Sequence, residues 1–181
     1  KKRISCLVTK NINSEDSINW IKDKSPDVIF CMGWSQLIKK EILEMPRLGI
    51  VGFHPAELPK NRGRHPLIWS LALGLNQTGS TFFFMDEGAD SGNIINQKIV
   101  KITSSDDARS LYTKIIKIAE KQIKEVIHSL SVPNFIGIPQ DHSLTNTWRK
   151  RNKLDGQIDW RMAASEIYNL VRALSKPYVG A

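Results

Sequence analysis

The sequence predicts an α/β fold: a doubly wound, mostly parallel sheet, closed by a linker and a C-terminal helix. Three observations point there. Val28–Met32 is a continuous apolar run of strand length, as expected for a strand covered on both faces, and Gly49–Phe53 is a further strand. Segments of helical pattern lie between and after them, and strand–helix–strand alternation implies right-handed crossovers and parallel pairing. Residues 107–129 carry Leu111, Ile115, Ile118 and Ala119 at helical spacing, which predicts one long amphipathic helix.

The elements follow in order. Ile4–Val8 reads as a short strand. Asn13 or Ser14 caps a helix to about Lys24, with Ile18, Trp20 and Ile21 on its apolar side. Ser25-Pro26-Asp27 stops it. After the strand at 28–32, Gly33-Trp34-Ser35 turns into a helix over about 35–43, and Pro46 ends that region. Residues 55–66 form a loop rich in proline, glycine and basic side chains, and a helix over about 67–75 follows. Thr78–Met85 is a strand, 86–92 a loop and Asn93–Ile102 a strand. Ser104–Asp106 cap the long helix. From Val132, Pro133, Gly137 and Pro139 break regularity, so 132–156 reads as a linker wrapping the core. Ala163–Leu174 is the last amphipathic helix. A catalytic domain over 1–131 and a linker with the start of a C-terminal subdomain over 132–181 is the expected division.

The 181 residues are 41% hydrophobic and 24% charged, ordinary for a globular chain and unlike a disordered one. No apolar run approaches the ~18 to 20 residues of a membrane span, so no membrane partner is expected. Lys1-Lys2-Arg3 leads into a strand-length run rather than a secretory core, so no leader is expected. Two cysteines, Cys6 and Cys31, make neither a disulfide scaffold nor a zinc site, and their apolar settings suggest buried thiols in the cytoplasm. No metal-ligand spacing and no phosphate-cradling glycine loop occurs, so no metal is expected. The formal net charge of +8 is compatible with a polyanionic partner such as a nucleotide, a nucleic acid or a folate tail. The lysines at 114, 117, 121 and 124 read as the solvated face of the long helix.

In a doubly wound sheet, ligands bind beyond the carboxyl ends of the strands. Three loops leave such ends: 33–36, 54–63 and 86–92. His54, directly after a buried strand and before a proline-braced basic loop, suits a general acid or base. Asp90 lies between Gly88 and Gly92, which permit tight backbone around a ligand. Taken singly, a histidine such as His54 at a strand end is more often a structural hydrogen-bonding group, and Asp90-Ser91-Gly92 more often just a turn.

Together the segments say more. His54-Pro55-Ala56-Glu57-Leu58-Pro59 with Arg62-Gly63, then Met85-Asp86-Glu87-Gly88-Ala89-Asp90-Ser91-Gly92, resembles the folate-dependent formyltransferase family. Asp155-Gly156-Gln157-Ile158-Asp159-Trp160 and Pro177-Tyr178-Val179-Gly180-Ala181 resemble the junction into the C-terminal domain of its tRNA and amino-sugar enzymes. The resemblance implies transfer of a formyl group from 10-formyltetrahydrofolate to a primary amine through a tetrahedral intermediate. It implies catalytic roles for His54 and Asp90. It implies that Gly33, Trp34, Gln36 and Ile38 hold the pterin, with Asp86, Glu87, Gly88 and Ala89 as the other wall. Asn61, Arg62, Gly63 and His65 are candidates for the acceptor side.

Two departures stand out. Gly52 occupies the place of a family asparagine whose carboxamide serves the oxyanion. The chain is also expected to start after the family's first strand–helix unit. Arg64-His65-Pro66 tilts the acceptor towards an amino-sugar nucleotide. The alternatives are methionyl-tRNA, a hydrolase releasing formate from the same folate, and a catalytically impaired folate-binding paralogue.

Overall fold

Four strands make the main sheet of the computed structural model, which describes residues 4–181. They are β1 (Ile29–Cys31), β2 (Ile50–His54), β4 (Gln77–Phe84) and β5 (Ile94–Lys101), side by side in the order β1-β2-β4-β5. A two-residue strand β3 (Arg62–Gly63) pairs with β6 (Thr147–Trp148) outside it. The helices are α1 (Glu15–Lys24), α2 (Lys40–Leu43), α3 (Pro66–Ala72), α4 (Ala108–Leu130) and α5 (Ala164–Ala173). The α/β class is as expected, with helices on both faces of the sheet. The parallel character is corrected: β1 and β2 are parallel, but β2–β4 and β4–β5 are antiparallel.

Alternation along β2 divides the core. Ile50 faces α1 and α2, packing with Ile21, Ile38 and Ile42. Val51 faces α4, packing with Phe82, Ile95, Val126 and Leu130. A third cluster joins α3, α4 and α5 through Leu71, Leu111, Ile115 and Leu170. Gln122 is the polar exception on the inner face of α4. It accepts from Ser80 Oγ at 2.5 Å and donates to Ser80 O and Asn96 Oδ1 at 3.0 and 2.7 Å, so its burial pins α4 in register on β4 and β5.

Helix ends follow their caps. Ser14, not Asn13, caps α1, and Ser25 ends it in the left-handed region at φ 43°. Asn13 instead accepts from Lys39 N and donates to Leu37 O, while Gln36 donates to Lys10 O. These side-chain bonds hold residues 35–39 extended, which is why the helix expected over 35–43 is confined to α2. Asp107 caps α4 in a reciprocal pair with Ser110, one residue beyond the expected cap.

Three further expectations are corrected. Residues 4–8 form no strand; Ile4 and Val8 are almost fully exposed, and none of these residues enters the sheet. Strand β1 is shorter than 28–32 and lies at the sheet's edge among the described strands, leaving Phe30 and Met32 partly exposed. Cys6 is exposed and Cys31 half-buried. Lys1–Arg3 lie outside the described residues. No described helix is long and apolar enough to cross a membrane.

The carboxylate of Asp106 is buried at the start of α4. Burial alone would raise its pKa. The ammonium of Lys114 at 2.5 Å and hydrogen bonds from Thr103 N, Thr103 Oγ1 and Ser110 Oγ outweigh that and hold it well below the usual carboxylate range. A depressed folded pKa contributes stability that is present above the unfolded value and is lost as pH falls through the folded one. Asp106→Asn is therefore expected to cost about 2 kcal/mol near neutrality. The gap to wild type should narrow as pH falls below ~4. Urea melts of both proteins across that range check this.

Candidate active site

The parallel pair β1–β2 carries the chain out at two neighbouring carboxyl ends, placing Gly33–Gln36 beside His54. Strand β4 runs the other way, so its carboxyl end lies beside the start of β2, where Met85 N donates to Ile50 O. The loop 86–92 must therefore return towards His54. Asp86 steadies it by accepting from Gly88 N at 3.0 Å and Ser91 Oγ at 2.6 Å.

At the far end of that loop, Asp90 Oδ2 accepts from Gly63 N at 2.9 Å and lies 3.6 Å from His54 Nδ1. The imidazole is buried, 5% exposed, so its orientation is fixed by partners rather than by water. Its Nε2 is 2.8 Å from Asn61 O. A carbonyl oxygen only accepts, so Nε2 carries the hydrogen, and the nitrogen able to gain or lose a proton is Nδ1, facing Asp90.

These groups open on a cleft of about 620 Å³. Gly33, Trp34, Gln36, His54, Gly63, His65, Gly88, Ala89 and Asp90 line it, as the sequence suggested. Five expected residues are placed elsewhere. Ile38 is buried in the core beneath α2. Asp86 holds its own loop, and Glu87 lies 3.9 Å from Lys40 Nζ. Asn61 turns its carbonyl to His54 and its side chain to Asn146. Arg62 is buried, donating to Gln140 Oε1 at 3.2 and 2.6 Å.

Other lining residues had no signal in the sequence. Thr147–Lys150 belong to the supposed linker, yet β6 adds to β3, with Arg64 N donating to Trp148 O at 2.9 Å. A Cβ on Gly63 would sit 2.3 Å from Trp148 O, and its φ is +97°, so only glycine permits this approach. Trp34 is exposed on one wall, and the main-chain groups of Trp34 and Ala89 have no hydrogen-bond partner among the described residues.

Two family comparisons bear on this arrangement. The formyl transferase family matches residues 7–127, and the formyl transferase C-terminal domain matches residues 150–181. The chain belongs to the formyl transferase family. Across all of its length it is 34% identical to the bifunctional polymyxin resistance protein ArnA of Wigglesworthia glossinidia brevipalpis, of which it spans 28%. A sugar 3N-formyl transferase, WlaRD, solved in the presence of dTDP and 5-N-formyl-THF, superposes with a TM-score of 0.73 at 27% identity, over 84% of this chain and 57% of that one. A 4-N formyltransferase from Francisella tularensis gives 0.79 at 26%, over 92% and 69%.

Gly52, the departure from the family's asparagine, has a steric counterpart in this formyl transferase. A Cβ there would lie 2.8 Å from Cε1 and Cζ of Phe83 and 3.0 Å from Met85 Cγ. The buried Phe83 ring fills the volume a side chain at 52 would need. Gly52→Asn is thus expected to lower stability by about 1 to 3 kcal/mol through overpacking, without a gain in rate. Combining it with Phe83→Leu should recover part of that loss, as read from thermal melts of the two variants.

Proposed function

We propose that this chain carries the catalytic centre for moving a formyl group from 10-formyltetrahydrofolate to the primary amine of an amino-sugar nucleotide. The observation that carries the reading is the His54–Asp90 pair, 3.6 Å apart at the edge of a cleft of substrate size. The folate supplies the formyl carbon. Everything else falls to the chain's own residues. Segments 33–36 and 88–90 orient the pterin between them. His54 Nδ1 takes a proton from the acceptor nitrogen as that nitrogen bonds to the formyl carbon, Asp90 stabilises the imidazolium that results, and the proton passes on to the folate nitrogen as its bond to the formyl carbon breaks. Asn61 O keeps the ring from turning while its charge changes.

Position 52 offers no carboxamide, so charge developing on the formyl oxygen is met by main-chain N–H groups or by a water held near His54 and Asp90. The choice of a sugar acceptor rests on the likeness, at 27% and 26% identity, to two sugar-type formyltransferases, together with Arg64-His65 at the rim.

His54→Ala and Asp90→Asn should each lower turnover by about 100-fold or more, with calorimetric binding of 5-formyltetrahydrofolate retained. Near wild-type turnover in folded His54→Ala would sink the proposed role. Efficient formylation of methionyl-tRNA, with affinity falling steeply with salt, would replace the sugar acceptor. Formate release independent of amine would replace transfer by hydrolysis.

A further inference from the structure

The imidazole and the carboxylate of the site lean on one short stretch of backbone. Asn61 O accepts from His54 Nε2 at 2.8 Å, and Gly63 N donates to Asp90 Oδ2 at 2.9 Å. Where residues 61–63 lie therefore sets both groups. This stretch does not hold its own place. Asn61 stands at φ 61°, in the left-handed region, and β3 is only two residues long. It is held by the segment that leads into β6. Asn61 N donates to Asn146 Oδ1 at 2.7 Å, and Asn146 Nδ2 donates to Asn61 Oδ1 at 3.1 Å. The next amide, Arg62 N, donates to Asn146 O at 3.1 Å. Ahead of Asn61, Pro59 O accepts from Thr145 Oγ1 at 3.1 Å. Asn146 thus spends both ends of its side chain and its own carbonyl on Asn61 and Arg62.

The placement of Asn61 matters because His54 has two rival acceptors. Asp90, 3.6 Å from Nδ1, draws the ring hydrogen to that nitrogen, while Asn61 O draws it to Nε2. Asn61 O prevails because it sits at full hydrogen-bonding distance, whereas 3.6 Å is beyond that reach. Asp90 Oδ2 is also occupied already by Gly63 N. If Asn61 O drifts away, the balance reverses, because a carboxylate is the stronger acceptor. The hydrogen then settles on Nδ1, and the nitrogen beside Asp90 can no longer take a proton. The ring is buried, so bulk water offers no substitute for the carbonyl.

We infer that Asn146 is a positioning residue for the reaction: by fixing Asn61, it keeps His54 in the tautomer whose Nδ1 is free. The inference rests on the formyl-transfer reading and deepens it. Asn146 acts only through its neighbour, since it makes no hydrogen bond to His54 or Asp90 among the described residues. The feature that counts is an oxygen at the end of its side chain. Asn146→Asp keeps one for Asn61 N, and the Asn61 amide can turn over to donate to the second. Asn146→Ala keeps neither. A role confined to fastening the linker would lower stability in Asn146→Ala without moving the tautomer, so the ring nitrogens of His54 separate the two roles.

Record long-range proton–nitrogen NMR spectra of the histidine rings in the natural full-length protein, with His54 assigned by the signals lost in His54→Gln, and measure single-turnover formyl transfer on the same samples. Wild-type His54, when neutral, should carry its hydrogen on Nε2. Asn146→Ala should shift population to the Nδ1–H form and lower the transfer rate by about 10-fold, the scale of one lost hydrogen bond. Its calorimetric binding of 5-formyltetrahydrofolate should be unchanged. Asn146→Asp should keep the wild-type tautomer and nearly all of the rate. Asn146→Ser, too short to reach both atoms of Asn61, is read in the same way as the alanine variant should that one not fold. A hydrogen on Nδ1 in the wild type would overturn the inference before any variant is made. So would a tautomer that does not change in Asn146→Ala, or an Asn146→Asp protein as impaired as Asn146→Ala. Tautomer control by Asn146 in a protein that transfers no formyl group would sink the formyl-transfer reading and leave the hydrogen-bond chain standing. Active transfer with an unmoved tautomer would do the reverse.

Discussion

Asp90 stands at φ 54°, a left-handed angle that costs a non-glycine residue roughly 1 to 2 kcal/mol and persists only where neighbours enforce it. Gln140 enforces it. Its amide donates to Asp90 O at 2.9 Å and Gly92 O at 2.6 Å, clamping the end of the loop. Its carbonyl oxygen accepts in turn from Arg62, a buried guanidinium that also lies 3.3 Å from His142 Nδ1. A buried charge with neutral partners is expensive unless its donors are used, and here they are spent on holding Gln140. The carboxylate that faces His54 is therefore positioned from behind, by a residue 50 positions away in sequence.

The same clamp answers a problem set by the sheet. In an all-parallel arrangement, successive strand ends would deliver their loops to one edge without further help. Here β4 is antiparallel to β2, and loop 86–92 starts from the wrong end. It reaches His54 because Asp86 tightens its first turn, Gln140 fastens its last, and Gly63 N binds the carboxylate between. The return path crosses the face carrying Gly52 and Phe83. A ring on one strand and a missing side chain on its neighbour, paired directly in register, then shape the floor of the cleft.

Much of this was readable from local chemistry. Helices α1, α4 and α5 were found because each combines a hydrophobic period with a cap or a breaker, and strands β2, β4 and β5 because turn residues bound them. The meeting of His54 and Asp90 was legible from the motif; strand-end position served His54 alone, since loop 86–92 leaves β4 from the opposite edge. What escaped depends on partners distant in sequence. Arg62 looks like any basic loop residue until Gln140, 78 positions on, is placed against it. Residues 35–39 carry a helical pattern that Asn13 and Gln36 override with side-chain bonds to the segment before α1. The direction of β4 left no trace, since the residues of a strand buried on both faces carry no pattern that separates antiparallel from parallel pairing.

The linker shows what such hidden pairings can do. Strands β3 and β6 are two residues each, too short to stand alone. Their pairing survives because the chain on either side is held independently. Asn146 Oδ1 accepts from Asn61 N at 2.7 Å, and beyond β6 the Trp69–Arg149–Asp155 assembly fastens the segment to α3. The opposite wall, formed by 33–36 and 88–90, is different in kind. It grows directly from the core strands β1, β2 and β4, so a change there disturbs the sheet. The wall from 147 to 150 touches the core through one tryptophan and a few hydrogen bonds. Its exposed side chains can be exchanged at little cost to folding.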